Sequence, residues 1–318
     1  MKTSISYFAI ALLLFVSCKY TPKNKNNTDT VHTATPDSVP FPSKLTQFTT
    51  PDIEPLFTGG GKDSWDQNIR ERGYILKEDG TYHMWYTGFG PDSKSLSLGY
   101  ATSPDGIIWT PYPDNPVYKE SWTEDMMVIK VNGTYHMFAE GESDVAHRLT
   151  STDRINWTDQ GSLDIRQTDG TPLSKGPYGT PTVWKENDTW YLFYERNDLG
   201  IWLATSKDLN VWTNVQDEPV LAMGPEKYDK YGLAVNQIVK HNGWYYAYYH
   251  GTPFEDWSKW STNVAASKDL VHWKKYPENP IMEENRSSGI LVPEGNSYRL
   301  YTMHDKVEVH YPMSPEQN

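Results

Sequence analysis

The sequence predicts an all-β fold, a five-bladed β-propeller built from four-stranded antiparallel blades. Two observations predict it. A strand–turn–strand phrase recurs five times, with its first aromatic residue at Tyr82, Tyr135, Trp190, Tyr245 and Tyr298, so the copies are 53 to 55 residues apart. A second motif, in which Ser or Thr and Asp precede a Trp, follows the first four copies. Self-similarity at this period is typical of propellers and solenoids.

The first blade shows how each unit is assembled. The apolar segment GYILK (73–77) predicts an inner strand, and Asp79-Gly80 favours the tight primed turn of a hairpin to the second strand. The motif ATSPDGIIW (101–109) then predicts a third strand, a turn and the start of a fourth strand. Five units of four strands make a propeller.

The fifth unit ends one strand short, in KVEVHYP (306–312). The N-terminal segment IEPLF (53–57) resembles the segments that end other blades, such as DNPVY (114–118). We therefore expect the N-terminal segment to supply the outer strand of blade 5, which closes the ring and hides its sheet edges.

The N-terminus predicts export. Met1-Lys2 and the apolar run 7–17 end at Cys18, the single cysteine. This pattern is typical of a secretory signal, and it resembles a bacterial lipoprotein signal of residues 1–18 with lipidation at Cys18. An ordinary signal with a free thiol is the alternative. Residues 19–42 are polar and Pro-rich, which predicts a flexible tether before a propeller at 43–318. The resemblance implies a cell-envelope location, with membrane contact through a lipid anchor only.

The composition limits the classes of partner and cofactor that the sequence predicts. The net charge of −12 argues against nucleic-acid binding, which uses basic surfaces. The histidines and acids lack metal-ligand spacing, so no metal is predicted, nor any other cofactor.

The two ends of the propeller are expected to differ. The hairpins and Ser-x-Asp turns at one end are nearly uniform between blades, which indicates turn-capping by Asp105, Asp153, Asp208 and Asp269. At the other end, where inner strands begin and second strands finish, the blades diverge. A pocket at that mouth of the central channel is the expected functional site.

In-register comparison of the blades predicts which residues line this pocket. Candidate catalytic groups are Asp66, Asp125, Glu140 and Glu195. Candidate substrate-binding groups are Trp65, Arg70, Glu71, Arg72, Glu124, Tyr178, Arg196, Asn236, His250 and His304. A solvated loop charge is the alternative for any single one of them.

Residues 43–312 resemble the five-bladed glycoside hydrolases of families 43, 32, 117 and 130. The segment 176–195 is similar to the family 43 segment that carries the general acid, with Tyr178 at the place of the family's Glu. Asp125 matches an aspartate that begins an inner strand in family 43, and Arg72 stands where that family has its general base.

The resemblance implies glycoside cleavage, which needs one carboxylic acid and one carboxylate. We assign Asp66 as base and Glu195 as general acid, with Asp125 orienting or tuning the acid and Glu140 as the competing acid. His250 and His304 are expected to bind sugar hydroxyls, to donate a proton or to be structural.

The predicted function is an exo-acting, inverting glycosidase for a plant or algal poly- or oligosaccharide. Two alternatives remain open, a non-catalytic surface glycan-binding lipoprotein and a phosphorylase like those of family 130. The phosphorylase would need Arg and His groups for phosphate.

Overall fold

Five small antiparallel sheets form a ring in the structure, a computed structural model that describes residues 39–91, 96–173 and 176–313. The predicted five-bladed β-propeller is confirmed, and the inner strands of neighbouring blades contact each other around the ring. The predicted signal 1–18, Cys18 and residues 19–38 of the predicted tether lie outside the described residues. No helix within the described residues has the length and apolar character needed to cross a membrane.

Each blade has four strands, and the blades are numbered 1 to 5 in chain order. The inner strands are Tyr74–Glu78, Glu124–Val131, Thr182–Glu186, Gly232–His241 and Ile290–Glu294. The second strands are Thr81–Phe89, Thr134–Gly141, Thr189–Glu195, Trp244–Thr252 and Ser297–Met303. The third strands are Ser97–Ser103, Val145–Ser151, Gly200–Ser206, Ser261–Ser267 and Val307–Pro312. The outer strands are Thr110–Pro111, Thr158–Ser162, Val211–Asn214, Trp273–Lys275 and Phe48–Thr49. The shorter elements are strands Asn68–Ile69, Asp164–Arg166 and Leu221–Ala222, the α-helix Ser43–Thr46 and the 3₁₀ helix Lys227–Asp229.

The N-terminal segment closes the ring as predicted. Strand Phe48–Thr49 pairs antiparallel with the third strand of blade 5, and Thr50 Oγ1 lies 2.8 Å from His310 Nδ1 of that strand. Phe57 also forms a β-bridge with Val307. The last strand edge of blade 5 is therefore covered by the start of the propeller segment.

Packing of the propeller begins before residue 43. The Tyr246 hydroxyl donates a hydrogen bond to Pro40 O at 2.8 Å, and the Phe41 ring lies 4.9 Å from the Tyr276 ring. Apolar side chains at this end of the predicted tether fill space against blade 4. Residues 39–42 are therefore part of the propeller unit.

The hairpin end of the ring is held by repeated local contacts. Asp105 Oδ1 accepts hydrogen bonds from the backbone N–H of Ile107 at 2.8 Å and of Ile108 at 2.9 Å. The same pattern recurs at Asp153 and Asp269. Short-range N–H donors thus hold these aspartates in turns, the structural role that the repeat predicts.

Charged contacts join neighbouring blades at the same end. Three glutamates at the ends of inner strands each accept hydrogen bonds from a Lys and a Tyr of the next blade. These groups are Glu78 with Lys130 and Tyr135, Glu186 with Lys240 and Tyr245, and Glu294 with Lys77 and Tyr82. The repeated contact contributes to the alignment of one blade on the next.

Candidate active site

A cavity of about 670 Å³ opens at the opposite end of the ring, where inner strands begin and second strands finish. All five blades contribute to it. Its lining includes Glu71, Asp125, Glu140, Asp144, Thr180, Glu195, Asp198, His250, Trp257, Trp260, His304 and Asp305. The cavity therefore lies at the end of the ring where the blades diverge in sequence.

The backbone at the start of the inner strands is unusual. Arg72, Asp125, Thr180 and Ser288 hold the same place in four blades, and their φ angles are +52°, +49°, +45° and +57°. Blade 4 has a register shift at Val235 instead. A left-handed conformation costs a non-glycine residue about 1–2 kcal/mol, and such outliers cluster at functional sites.

Asp125 and Glu140 of blade 2 are linked through Thr180 of blade 3. Glu140 Oε2 accepts the Thr180 backbone N–H at 2.8 Å and lies 3.2 Å from Thr180 Oγ1. The same hydroxyl lies 3.4 Å from Asp125 Oδ2. Asp125 Oδ1 is buried and has no hydrogen-bond partner among the described residues. Since a hydroxyl has one proton, it can donate to only one of the two carboxyl groups at a time.

Burial raises the pKa of both carboxyl groups. Desolvation, then the charges of Glu124 and Glu71, raises the pKa of Asp125 well above its usual 3.8. Desolvation, then the charge of Asp125, raises the pKa of Glu140 well above its usual 4.5. Both carboxyl groups therefore hold a proton to higher pH than an exposed carboxyl group does.

Glu195 of blade 3 is fixed by two backbone donors. Its Oε1 accepts the Gly179 N–H at 2.8 Å, and its Oε2 accepts the Asp198 N–H at 2.6 Å. A β-carbon on Gly179 would overlap both Glu140 Oε2 and Glu195 Oε1. The two carboxyl groups thus approach this residue from different sides, which only glycine allows.

Asp198 adds a further acidic group beside Glu195. Desolvation, followed by the charges of Glu195, Asp144 and Glu71, raises the pKa of Asp198 to about 7. This carboxyl group therefore changes charge near neutral pH.

Glu71 of blade 1 has the opposite shift. His304 Nδ1 of blade 5 lies 3.1 Å from Glu71 Oε2 and 3.1 Å from Ser287 Oγ. Desolvation opposes ionisation of Glu71, but the hydrogen bond and charge of His304 outweigh it and lower the pKa below 4.5. Glu71 therefore ionises more readily than the Asp125–Glu140 pair in the same cavity.

Arg70, beside Glu71, forms an ion pair with Glu124. Glu124 is buried behind the lining, and its Oε1 also accepts the Trp122 indole N–H at 2.5 Å. The one guanidinium among the described lining residues thus already has a carboxylate partner. Glu124 itself does not line the cavity but holds Arg70, which does. A direct contact with substrate had been predicted for Glu124.

Arg72 crosses from blade 1 to blades 2 and 3 and is 1% exposed. Its guanidinium donates to Asp125 O at 2.7 Å, to Pro181 O at 2.8 Å and to Thr182 Oγ1 at 2.5 Å. Pro181 and Thr182 follow Thr180, which lines the cavity, as the chain enters the inner strand. Arg72 therefore bridges blades 1, 2 and 3 and does not line the cavity, contrary to its predicted substrate-binding role.

His250 of blade 4 lines the cavity as a neutral imidazole. Asn236 Nδ2 donates to its Nδ1 at 3.0 Å, and its ring meets the Trp260 ring edge-on at 4.9 Å. Desolvation lowers the pKa of His250 to about 3. Asn236 acts by holding His250 and is not part of the lining.

Four further sequence candidates lie away from the cavity lining. Asp66, predicted as the base, is 4% exposed and accepts a hydrogen bond from the Tyr86 hydroxyl at 2.8 Å. Trp65 stacks on the same Tyr86 ring at 6.0 Å. Both belong to a loop that packs behind the second strand of blade 1, because Gly88 leaves room for them there.

The other two are Tyr178 and Arg196. Tyr178 is buried between blades 2 and 3, with its hydroxyl 3.4 Å from Leu163 O. Arg196 lies over the Trp202 ring at 5.3 Å. Neither side chain lines the cavity, because each packs against its own or the adjacent blade.

Several lining residues were missed by the sequence comparison. Asp144 and Asp198 follow the ends of second strands, and Trp257 and Trp260 lie in the long loop after the second strand of blade 4. Loops of unequal length have no common register between blades. The segment TPFEDWSKW (252–260) is longer than the corresponding segments of blades 2, 3 and 5, and that length was the available signal.

Comparisons with known proteins find distant relatives of this chain. No family model matches the chain. A 1,2-beta-oligomannan phosphorylase of Thermoanaerobacter sp. (strain X514) is 26% identical over 216 residues, which cover 62% of this chain and 69% of that protein.

Solved structures give a wider match. A glycosyl hydrolase from Bacteroides ovatus superimposes with a TM-score of 0.69 at 16% identity, over 85% of this chain and 94% of that one. The chain has the fold of the five-bladed propeller glycoside hydrolases. A structure from glycoside hydrolase family 130 also matches, with a TM-score of 0.64 at 16% identity over 85% and 94% of the two chains. That family is described as mannoside phosphorylases that include glycoside hydrolases for β-1,2-mannosidic linkages in Candida mannan.

Proposed function

We propose that this protein is a glycoside hydrolase whose reaction takes place in the cavity of the propeller. The observation that carries the proposal is a set of carboxyl groups that share one cavity but differ in their burial and partners. The pKa values of Asp125 and Glu140 are raised and the pKa of Glu71 is lowered. Glycoside cleavage needs one carboxyl group that holds a proton and one that has lost it.

The Asp125–Glu140 pair is the proposed proton donor to the leaving oxygen. Asp125 Oδ1 has no partner among the described residues, so a proton there has no competing acceptor on this part of the chain. Thr180 orients the pair through its hydroxyl. Glu195 is better suited to positioning than to its predicted role as acid, because both of its oxygens already accept backbone N–H groups.

Glu71 is the proposed base, in place of Asp66. It lines the cavity, it is ionised, and His304 orients it. In an inverting reaction such a carboxylate takes a proton from the water that attacks the sugar carbon. Asp66 cannot reach such a water without leaving its buried contact with Tyr86.

The charge of the cavity favours water over phosphate as the acceptor. Among the described residues its lining carries seven carboxyl groups, while its guanidinium, Arg70, is paired with Glu124. Even with Asp125 and Glu140 protonated, Glu71 and its acidic neighbours would repel a phosphate dianion. Phosphate sites normally present cations or free N–H donors.

We propose exo-action because we take the cavity to be blind. The buried Arg72 joins three blades by hydrogen bonds, and a blind cavity admits the end of a glycan chain more readily than its middle. The oligomannan phosphorylase and the family 130 hydrolases are described by their action on 1,2-linked mannosides. We therefore take β-mannosides as the first substrate class to test, within the wider class of glycans that we predicted.

The test is an assay of product release from a panel of aryl glycosides and oligosaccharides that includes β-1,2-mannobiose. We expect release of reducing sugar at equal rates with and without phosphate at about 10 mM, a concentration that would saturate an ordinary phosphate site in the micromolar to millimolar range. Phosphate-dependent formation of a sugar 1-phosphate would show that the protein is a phosphorylase and not a hydrolase. Binding of a glycan without product from any member of the panel would show that the protein is a glycan-binding protein and not an enzyme.

We also propose a lipid anchor at Cys18, on the pattern of residues 1–18. Labelling with radioactive palmitate during expression of the full chain in a bacterial host tests it. Label in the parent protein and none in Cys18→Ser is expected; equal labelling would contradict the anchor.

A further inference from the structure

A second cavity of about 260 Å³ adjoins the first one on blade 4. Trp260 lines both cavities and forms the wall between them. Phe254, Tyr228 and Pro253 give the second cavity apolar surfaces. A ligand that leaves the first cavity on this side therefore reaches the second one across Trp260 and its neighbour Trp257.

Trp257 is exposed and yet held in place. Its side chain is 47% exposed, its indole N–H donates to Tyr231 O at 3.1 Å, and its φ is +54°. A positive φ is a true outlier for a bulky residue. A hydrogen bond and a strained backbone thus fix a half-exposed aromatic side chain, which is a feature of ligand platforms.

Trp260 is fixed in a similar way. Its backbone N–H donates to Asn285 Oδ1 at 2.9 Å, and its ring meets His250 edge-on. The rings of Trp257 and Trp260 lie 6.2 Å apart at 58°. The two indoles therefore present adjacent apolar surfaces at the junction of the cavities.

Polar groups surround the apolar part of the second cavity. Lys259, Ser261, Glu283 and Glu284 line it together with Phe254, which is 42% exposed. A pyranose has apolar C–H faces and a rim of hydroxyl groups, so it matches an aromatic surface with donors and acceptors at its edge. A purely apolar ligand would leave this charged rim unpaired.

We propose that the second cavity is a sugar-binding subsite for a unit of the oligosaccharide beyond the two that flank the cleaved bond, with Trp257 and Trp260 guiding the chain to it. The proposal rests on the proposed hydrolase function and adds a preference for chain length. The protein should act best on substrates of three or more sugar units.

The experiment compares β-1,2-manno-oligosaccharides of two to five units, together with the aryl glycosides of the first panel. The readout is the ratio of kcat/KM for the trisaccharide to kcat/KM for the disaccharide. In the parent protein this ratio should exceed about fivefold. Phe254→Ala should lower the ratio to near one, and Trp257→Phe should keep more of it than Trp257→Ala, because an aromatic face contributes a factor of about 2 to 10.

Ile108→Ala is the matched control, because Ile108 is 69% exposed in a turn at the opposite end of the ring. It should leave the ratio unchanged. A ratio that is near one in the parent protein, or that is unaffected by Phe254→Ala, overturns the subsite while hydrolysis stands. If the parent protein neither cleaves nor binds any member, the hydrolase function and the subsite are both wrong.

Discussion

Aspartates at the two ends of this propeller have opposite chemistry. At the hairpin end, hydrogen bonds from the side chain and backbone of Asn156 lower the pKa of Asp153. At the cavity end, desolvation and the charges of Glu124 and Glu71 raise the pKa of Asp125. The blades repeat one sequence pattern, so the difference comes from the surroundings. Local N–H donors stabilise a carboxylate, whereas burial beside other acids favours the protonated form.

The backbone shows a weaker contrast. Positive φ at the hairpins falls on residues that tolerate it, such as Asn132 and Gly133. At the cavity it falls on Arg72 and Thr180, for which it is costly, but Leu209 in a turn of the other end has the same conformation. The two ends are therefore distinguished by the buried acids of the cavity and not by backbone strain.

The largest expected effect is on turnover at the cavity end. Asp125→Asn and Glu140→Gln should each lower kcat by about 10²–10⁴, the usual contribution of a general acid. Asp208→Asn, at the hairpin end, should change kcat less than about twofold, because local turn contacts hold that residue far from the reaction. Steady-state assays with circular dichroism as a check of folding measure this. Full activity in both cavity variants would remove the pair as proton donor.

A smaller but still large effect on kcat is expected when Glu140 and Glu195 are displaced. Gly179→Ala places a β-carbon against Glu140 and Glu195. Displacing catalytic groups by about 1 Å costs about 10²-fold in rate, so kcat should fall by about that factor. Gly90→Ala is the control, because its β-carbon would have no contact under 3.8 Å. Equal activity of the two variants would contradict the close approach.

The pH profile of kcat/KM should show both the lowered pKa of Glu71 and the raised pKa of the Asp125–Glu140 pair. On the acid side, activity needs ionised Glu71, so kcat/KM should fall only below about pH 4.5. On the alkaline side, activity needs a proton on the Asp125–Glu140 pair, so kcat/KM should fall as the pH rises through the raised pKa of that pair. Asp198, with its pKa of about 7, should add an inflection near neutrality that Asp198→Asn removes. An unchanged profile in that variant would exclude Asp198 from the coupled group.

The smallest effects concern stability and have opposite signs at the two ends. A carboxyl group whose pKa is raised in the folded state destabilises the fold at any pH above its unfolded pKa. Asp125→Asn removes that group, so it should raise Tm at pH 7 by about 2–4 °C. The gain in Tm should disappear as the pH falls toward 3.8. Asp208 has a lowered pKa, caused first by the backbone N–H of Asn210, so Asp208→Ala should lower Tm slightly at pH 7. Calorimetry at pH 4 and pH 7 measures both; a lower Tm for Asp125→Asn at pH 7 would show that its charge is structural.

Much of the site could be read from the repeat because strand ends keep their register. Glu140, Glu195, His250 and Asp125 were found in this way, and all four line the cavity. Asp66 was misplaced because it lies in a loop, where distance along the chain does not predict direction. Gly88 and Tyr86 draw it behind the strand. Trp257 and Trp260 were missed for the same reason.

The sequence by itself determined the ring. Its period, hairpin turns and capped aspartates depend on contacts between residues close in the chain, so they are visible as a local pattern. Only the tertiary structure decided which acids share a cavity and in which direction the pKa of each is shifted. Thr180 and Glu140 are 40 residues apart and meet across two blades, and the pKa values of the cavity acids depend on burial and on charges from other blades, which no local pattern encodes.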